Sequence, residues 1–146
     1  MAARRSSNGR NAEILKRARK VLEIEADGIT CLVDKLGEGF CEAVKLLSRC
    51  QGKVVVTGVG KSGLICQKIA ATLASTGTPA IFLHAVEGFH GDLGVVSRQD
   101  VVIAVSNSGE TEEVNRLVPL IKRLGVPLIA LTGKLNSTLA RYGDVW

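Results

Sequence analysis

Lys53-Val54-Val55-Val56-Thr57, followed at once by Gly58-Val59-Gly60-Lys61-Ser62-Gly63, is the stretch that decides the fold. KVVVT is rich in β-branched residues and shows no polar alternation, which is the pattern of a strand buried on both faces of a parallel sheet. A glycine-rich turn follows. Leu64 to Ala74 then reads as a helix, with Ile65, Ile69 and Leu73 at helical spacing. The unit repeats downstream. Ala80–Leu83 is a second strand, Val101–Val105 a third and Leu128–Leu131 a fourth. Between the last two, Thr111 to Leu124 spaces Val114, Leu117, Val118 and Ile121 along one side of a helix. Ser137–Tyr142 is a short helix, and Asp144–Trp146 starts a fifth strand. Strands alternating with helices imply right-handed βαβ crossovers. The expected fold is α/β: a parallel five-stranded sheet flanked by helices, doubly wound in the flavodoxin-like manner.

Upstream of this core (residues 52–146) the pattern is helical. Residues 11–50 read as an N-terminal helical pair. The first helix carries Ile14, Ala18, Val21, Leu22, Ile29, Leu32, Val33 and Leu36, with Gly28 marking a kink. The second runs from about Glu38 to Arg49 with Phe40, Val44 and Leu47 on one face. Residues 1–10 read as a flexible basic arm. The charge supports that division. Of the net +5, residues 1–20 supply +6 through seven basic groups and Glu13, and the remaining 126 residues sum to −1. The basic character therefore belongs to the leading segment and not to the fold.

Composition narrows the function classes. With 46% hydrophobic and 23% charged residues in 146, the chain reads as one folded domain with a real core. Aromatic residues are only 3%, so the base-stacking platforms of single-strand nucleic-acid binders are missing. No apolar run approaches the ~20 residues of a membrane span, and no secretory leader is expected. Cys31, Cys41, Cys50 and Cys66 form no C-x-x-C pair, so a zinc or thioredoxin-like site is not indicated. Free thiols in a reducing cytoplasm are the simplest expectation.

In parallel sheets ligands bind beyond the carboxyl ends of the strands. The segments to read are therefore Gly58–Gly63, His84–Gly94, Ser106–Thr111 and Thr132–Asn136. Gly58–Gly63 fits G-x-G-x-x-G, but the ribose-binding acid expected after the next strand is missing, since that strand ends Phe82-Leu83-His84. Gly60-Lys61-Ser62 resembles part of a P-loop, but position 55 is Val where that motif needs Gly. What survives is a tight turn presenting a lysine and a hydroxyl at a helix start. In Ser106-Asn107-Ser108-Gly109-Glu110-Thr111, three hydroxyls can converge beside free N–H donors, and Gly109 lets the backbone approach a ligand. That arrangement suits a phosphate monoester. A helix N-cap would explain one hydroxyl, not three plus a glycine.

Four motifs occur in order: G-x-G-K-S-G at Gly58–Gly63, A-S-T-G-T-P at Ala74–Pro79, H-G-D-L-G at His90–Gly94 and S-x-S-G-x-T at Ser106–Thr111. Together they resemble the sugar isomerase (SIS) domain. Within it they are similar to the D-arabinose 5-phosphate isomerases of the bacterial 3-deoxy-octulosonate route to lipopolysaccharide. The resemblance covers residues 11–146. It implies that Ser106, Ser108 and Thr111 grip the phosphate and that Lys61 and Ser62 line the sugar. Gly60, Ser62, Ser106, Asn107, Ser108, Gly109 and Thr111 form the candidate substrate- and phosphate-binding set. Lys61, His90 and Glu113 are the candidate catalytic residues. The family interconverts D-ribulose 5-phosphate and D-arabinose 5-phosphate without a cofactor and usually assembles as a tetramer. The implied partners are a phosphorylated pentose and further copies of the chain, with neither membrane nor nucleic acid.

Aldose–ketose isomerisation through an enediol needs a base near the carbon acid and a donor or cation near the oxyanion. Glu113 suits the base, unless it serves only the helix dipole. Lys61 suits the oxyanion, and His90 suits a proton shuttle. His84, Glu87 and His90 recur every three residues. On a helix they would spread over roughly 120°, too wide for one ion, so no metal is expected. Two departures from the family stand out. Ala85 occupies a position where the family usually has proline. The family's later strand, helix, acid and histidine, and the CBS pair of full-length relatives, would lie past Trp146, so the resemblance implies a chain truncated at its C-terminus. A non-catalytic, sugar-phosphate-sensing SIS module is the alternative.

Overall fold

The computed structural model describes Ala2–Trp146, with side chains from Gly9 onward. The chain divides into two units, Met1–Gly37 and Glu38–Trp146.

The first unit is a single long helix, α1 (Ala2–Thr30), followed by a short 3-10 turn at Val33–Lys35. Of the segment read as a basic arm, Ala2–Arg10 form the opening turns of α1, and Met1 lies outside the described residues. Alanine and arginine are strong helix formers, and the helical pattern after Asn11 gives those turns something to extend. The helix also passes through Gly28 without breaking.

In the second unit α2 (Glu38–Ser48) precedes four strands and four further helices: β1 (Val54–Gly58), α3 (Gly60–Ser75), β2 (Ala80–His84), α4 (Ala85–Phe89), β3 (Val101–Ser106), α5 (Glu112–Arg123), β4 (Leu128–Thr132) and α6 (Thr138–Tyr142). All strand pairs are parallel, in the order β2-β1-β3-β4. The sheet has four strands and not five. Asp144–Trp146 contributes a single parallel bridge, Ile129 to Val145. The Asp144 side chain accepts from Leu128 N at 2.8 Å and pairs with Lys122 Nζ at 2.6 Å, which directs this segment toward capping the edge of β4.

The unalternating strands have a direct packing cause. Val55, Val102 and Ala104 face one core with α5 and α6, while Val54, Val56, Val101 and Ile103 face another with α3 and α2. Val54, Val55, Val56 and Val102 are fully buried. The α5 stripe holds as read: Val114, Leu117, Val118 and Ile121 are all fully buried. On α2 the inward residues are Ala43, Leu46 and Leu47, with Phe40 and Val44 exposed, so the face differs from the one read from the sequence. On α3, Ile65 is exposed and Cys66 and Ala70 are buried instead. Small side chains let α3 approach β1 closely: Cys66 Sγ donates to Thr57 O at 3.3 Å.

The amino ends of β1 and β3 are closed by one ionic knot. The Asp100 side chain, 1% exposed, accepts from Lys53 Nζ at 2.7 Å, Lys53 N at 2.9 Å and Ser97 N at 2.8 Å. Burial pushes the Asp100 carboxyl up, but the bonds from Lys53 and Ser97 outweigh it and hold it below the ordinary carboxylate range.

Candidate functional site

Strand order 2-1-3-4 makes the winding reverse between β1 and β3, and a crevice opens at such a switch point beyond the carboxyl ends. The β1–α3 turn and the β3–α5 loop flank it.

The β3–α5 loop gathers its hydroxyls. Ser106 ends β3 almost fully buried, and its Oγ lies 2.6 Å from Thr111 Oγ1 and 3.5 Å from Ser108 Oγ. Ser106 Oγ also accepts from Gly109 N at 3.0 Å, and Ser108 Oγ accepts from Glu110 N at 3.1 Å. Each serine oxygen thus holds a backbone donor within the loop, and Ser106 and Thr111 share one hydroxyl proton between them. Thr111 is the N-cap of α5, yet its side chain makes no capping bond. The amides of the first turn of α5 therefore face the loop uncapped by it, and this is where an anion is best received.

Gly109 shapes the loop. Its φ is +64°, and a Cβ there would collide with the Ser137 side chain and come within 2.8 Å of Thr132 Oγ1. Gly109 O accepts from Leu139 N at 3.0 Å and from Asn115 Nδ2 at 3.2 Å, which ties the loop to α6 and α5. Glu110, exposed, caps α6 from outside: its Oε1 accepts from Thr138 N at 2.7 Å. That bond lowers the Glu110 carboxyl from its ordinary value. On the other side of the switch point, Gly60 has φ +55°, and Lys61 and Ser62 begin α3.

Four of the candidate residues line two cavities. One lies at the carboxyl ends of the strands, lined by Ser62, Val105, Asn107, Leu131, Thr132 and Gly133. The other lies between α4 and α5, lined by Ala85, Val86, Phe89, His90, Glu113 and Arg116. The structure therefore joins His90 with Glu113, and Ser62 with Asn107. Lys61 is exposed and lines neither cavity, and the same holds for Gly60, Ser106, Ser108, Gly109 and Thr111, which sit in the two loops beside the cavity at the strand ends. Glu113 lies in the first turn of α5 and shares a cavity wall with His90. No three His, Cys, Asp or Glu side chains gather into a metal-sized group among the described residues.

Sequence reasoning missed several participants. Arg116 enters the α4–α5 cavity with its guanidinium 4.4 Å from the Phe89 ring centre, and Phe89 meets His90 edge-on at 5.7 Å. Its position three residues after Glu113 was an available signal. Thr132, Ser137 and Asn115 also support the loop, and only tertiary packing reveals them.

The chain matches the SIS domain family over residues 47–146. It belongs to that family. The SIS match covers the sheet, both loops and both cavities. Among curated relatives, arabinose 5-phosphate isomerase KdsD of Escherichia coli K12 is 52% identical over 127 residues, covering 87% of this chain and 39% of that protein. Arabinose 5-phosphate isomerase KdsD of Pseudomonas aeruginosa is 47% identical over 135 residues, covering 92% of this chain and 41% of that protein. A solved structure of the E. coli CFT073 protein c3406, in complex with arabinose 5-phosphate, superposes with a TM-score of 0.88 at 44% identity, covering 92% of this chain and 72% of that one. The chain thus spans about 40% of the length of the curated relatives it matches. No described helix is long and apolar enough to cross a membrane.

Proposed function

We propose that this SIS domain interconverts D-ribulose 5-phosphate and D-arabinose 5-phosphate, with Ser106, Ser108 and Thr111 holding the phosphate. The observation that carries the reading is the meeting of those three hydroxyls at the β1/β3 switch point, beside the uncapped first turn of α5. The names of the 47–53% identical relatives and the arabinose 5-phosphate bound to the superposed neighbour support the choice of pentose. Gly60, Ser62, Asn107 and Gly109 complete the binding surface.

In the proposed reaction Glu113 takes a proton from C1 of the ketose. His90 moves a proton between the C1 and C2 oxygens, Lys61 balances the enediolate, and the proton returns to C2 to give the aldose. The domain works in a reducing cytoplasm as a homo-oligomer, without a cofactor. A binding module without turnover is the second reading, and the position of Lys61 outside both cavities favours it.

Incubation with D-ribulose 5-phosphate in D2O separates the two. The isomerase reading expects D-arabinose 5-phosphate, detected by NMR, with deuterium at C2 in proportion to the exchange of the Glu113 proton with solvent. Binding without formation of the aldose would establish the module, and no binding would overturn both. Lys61→Ala is expected to stay folded and to lower kcat more than it weakens binding. An equal fall in both would make Lys61 a binding residue only.

A further inference from the structure

His84 is one of two histidines in the chain, and the reaction proposed above makes no use of it. It is the last residue of β2, paired in register with Gly58, the last residue of β1. Side chains two apart on a strand point the same way, so it shares a sheet face with Phe82. The two rings meet edge-on with centres 6.2 Å apart. Phe82 packs on the α3 side of the sheet, and its ring tip would lie 3.7 Å from a Cβ on Gly63. One step nearer the carboxyl end, His84 stands level with the turn Val59–Lys61 that opens α3.

The His84 ring is partly buried and makes no hydrogen bond among the described residues. Its Nδ1 is buried without a partner, whereas Nε2 is open. Although His84 is the N-cap of α4, its side chain makes no capping bond. A histidine held for structure alone normally spends a ring nitrogen on a carbonyl or a carboxylate. A neutral imidazole carries one proton, on one nitrogen. On Nδ1 it would be an orphaned buried N–H, which folded proteins avoid more strictly than an under-used acceptor. The proton therefore sits on Nε2, the accessible nitrogen. A metal-ligand role would need neighbouring donors, and no three His, Cys, Asp or Glu side chains gather among the described residues.

Reach decides what that donor meets. Ser106 ends β3 and His84 ends β2, with β1 between them. Two strand spacings are about 9.6 Å, within the span of an extended five-carbon phosphate hydrogen-bonded at both ends. A phosphate seated at Ser106–Thr111 thus leaves the carbonyl end of its sugar over β1 and β2. His90 follows on the same connection, at the far end of α4. We propose that His84 is a substrate-contacting residue whose Nε2–H donates to an oxygen at the carbonyl end of the bound sugar phosphate. The inference rests on the phosphate cradle of Ser106, Ser108 and Thr111, and deepens it by naming the group that holds the opposite end of the ligand.

Nitrogen NMR of the histidine rings reads both the proton and the contact, with only two residues to assign. In the free protein the His84 ring should show the Nε2–H tautomer. Adding D-arabinose 5-phosphate should move its Nε2 resonance saturably, in step with the amides of Ser106–Thr111, and move Nδ1 much less. His84→Leu should weaken binding about tenfold, the worth of one donor in a site. His84→Gln returns a neutral donor near the Nε2 position and should recover most of that loss, which a ring needed only for packing would not explain. If His84→Leu does not fold, the wild-type spectra decide alone. An Nδ1–H tautomer, equal affinities of the two variants, or an unmoved Nε2 while the Ser106–Thr111 amides shift would each overturn the role of His84 and leave the cradle standing. A shifting Nε2 with a silent hydroxyl loop would overturn the cradle and keep His84 as a sugar contact. No response at either would overturn both.

Discussion

The two ends of β1 and β3 are made from the same strands and solve opposite problems. At the amino end, Asp100 is almost wholly buried and every bond it accepts comes from Lys53 or Ser97. Gly52 fits there only because it has no side chain, since a Cβ would collide with the Asp100 carboxylate. At the carboxyl end, neutral hydroxyls and uncapped amides gather around exposed Ser108 and Asn107. Charge is consumed internally where the sheet is closed. Donors are kept in reserve where it is open. The comparison separates polar groups that stabilise the fold from polar groups kept for a ligand.

Gly109→Ala tests the point where those roles meet, and the largest effect is expected there. The residue would be forced into left-handed backbone and against Ser137 and Thr132. The expected cost is about 3 kcal/mol or more in stability, together with loss of sugar-phosphate binding. Thermal unfolding and calorimetric titration of the same sample measure both.

Asp100→Ala should cost about 3 kcal/mol, because it strands Lys53 and the two amides. Affinity for the sugar phosphate should hold to within about twofold, as expected of distant sites. A parallel loss of affinity would show that the two ends are not separate. The pH dependence follows from the lowered Asp100 carboxyl. Its contribution is present in full above the unfolded carboxylate value near pH 4 and is lost as pH falls through the lower folded value. Urea midpoints between pH 6 and pH 2 should fall more steeply in the wild type than in Asp100→Ala.

Ser108→Ala is the converse. Affinity should drop by about 1–3 kcal/mol, the usual loss for a charge-assisted hydrogen bond. Stability should move by less than about 0.5 kcal/mol, since the side chain is exposed. A destabilised protein with unchanged affinity would assign Ser108 to the closed category.

How much of this was legible in the sequence differs between the same regions. Val54–Val56, Val101–Val105 and the α5 stripe were readable because strands buried on both faces and an amphipathic helix leave strong periodic signals. The hydroxyl loop was readable because three alcohols and a glycine between strand and helix are more than a cap requires. Ala85–Phe89, which the sequence marks only as part of the segment after the second strand, is helical, since five residues are too few to establish a period. Asp144–Trp146 makes one parallel bridge, Ile129 to Val145, with Ala130 N donating to Val145 O at 2.8 Å. Asp100 and Ser137 were silent because their partners Lys53 and Gly109 lie far away in the chain.

A titration with D-arabinose 5-phosphate followed by amide NMR reads both ends of the sheet at once. Shifts should concentrate at Gly60–Ser62 and from Ser106 through the first turn of α5, with Gly52–Lys53 and Ser97–Asp100 unmoved. Saturable shifts that spare Ser106–Thr111, or a spectrum that does not respond, would contradict the assignment of the hydroxyl loop as the phosphate cradle.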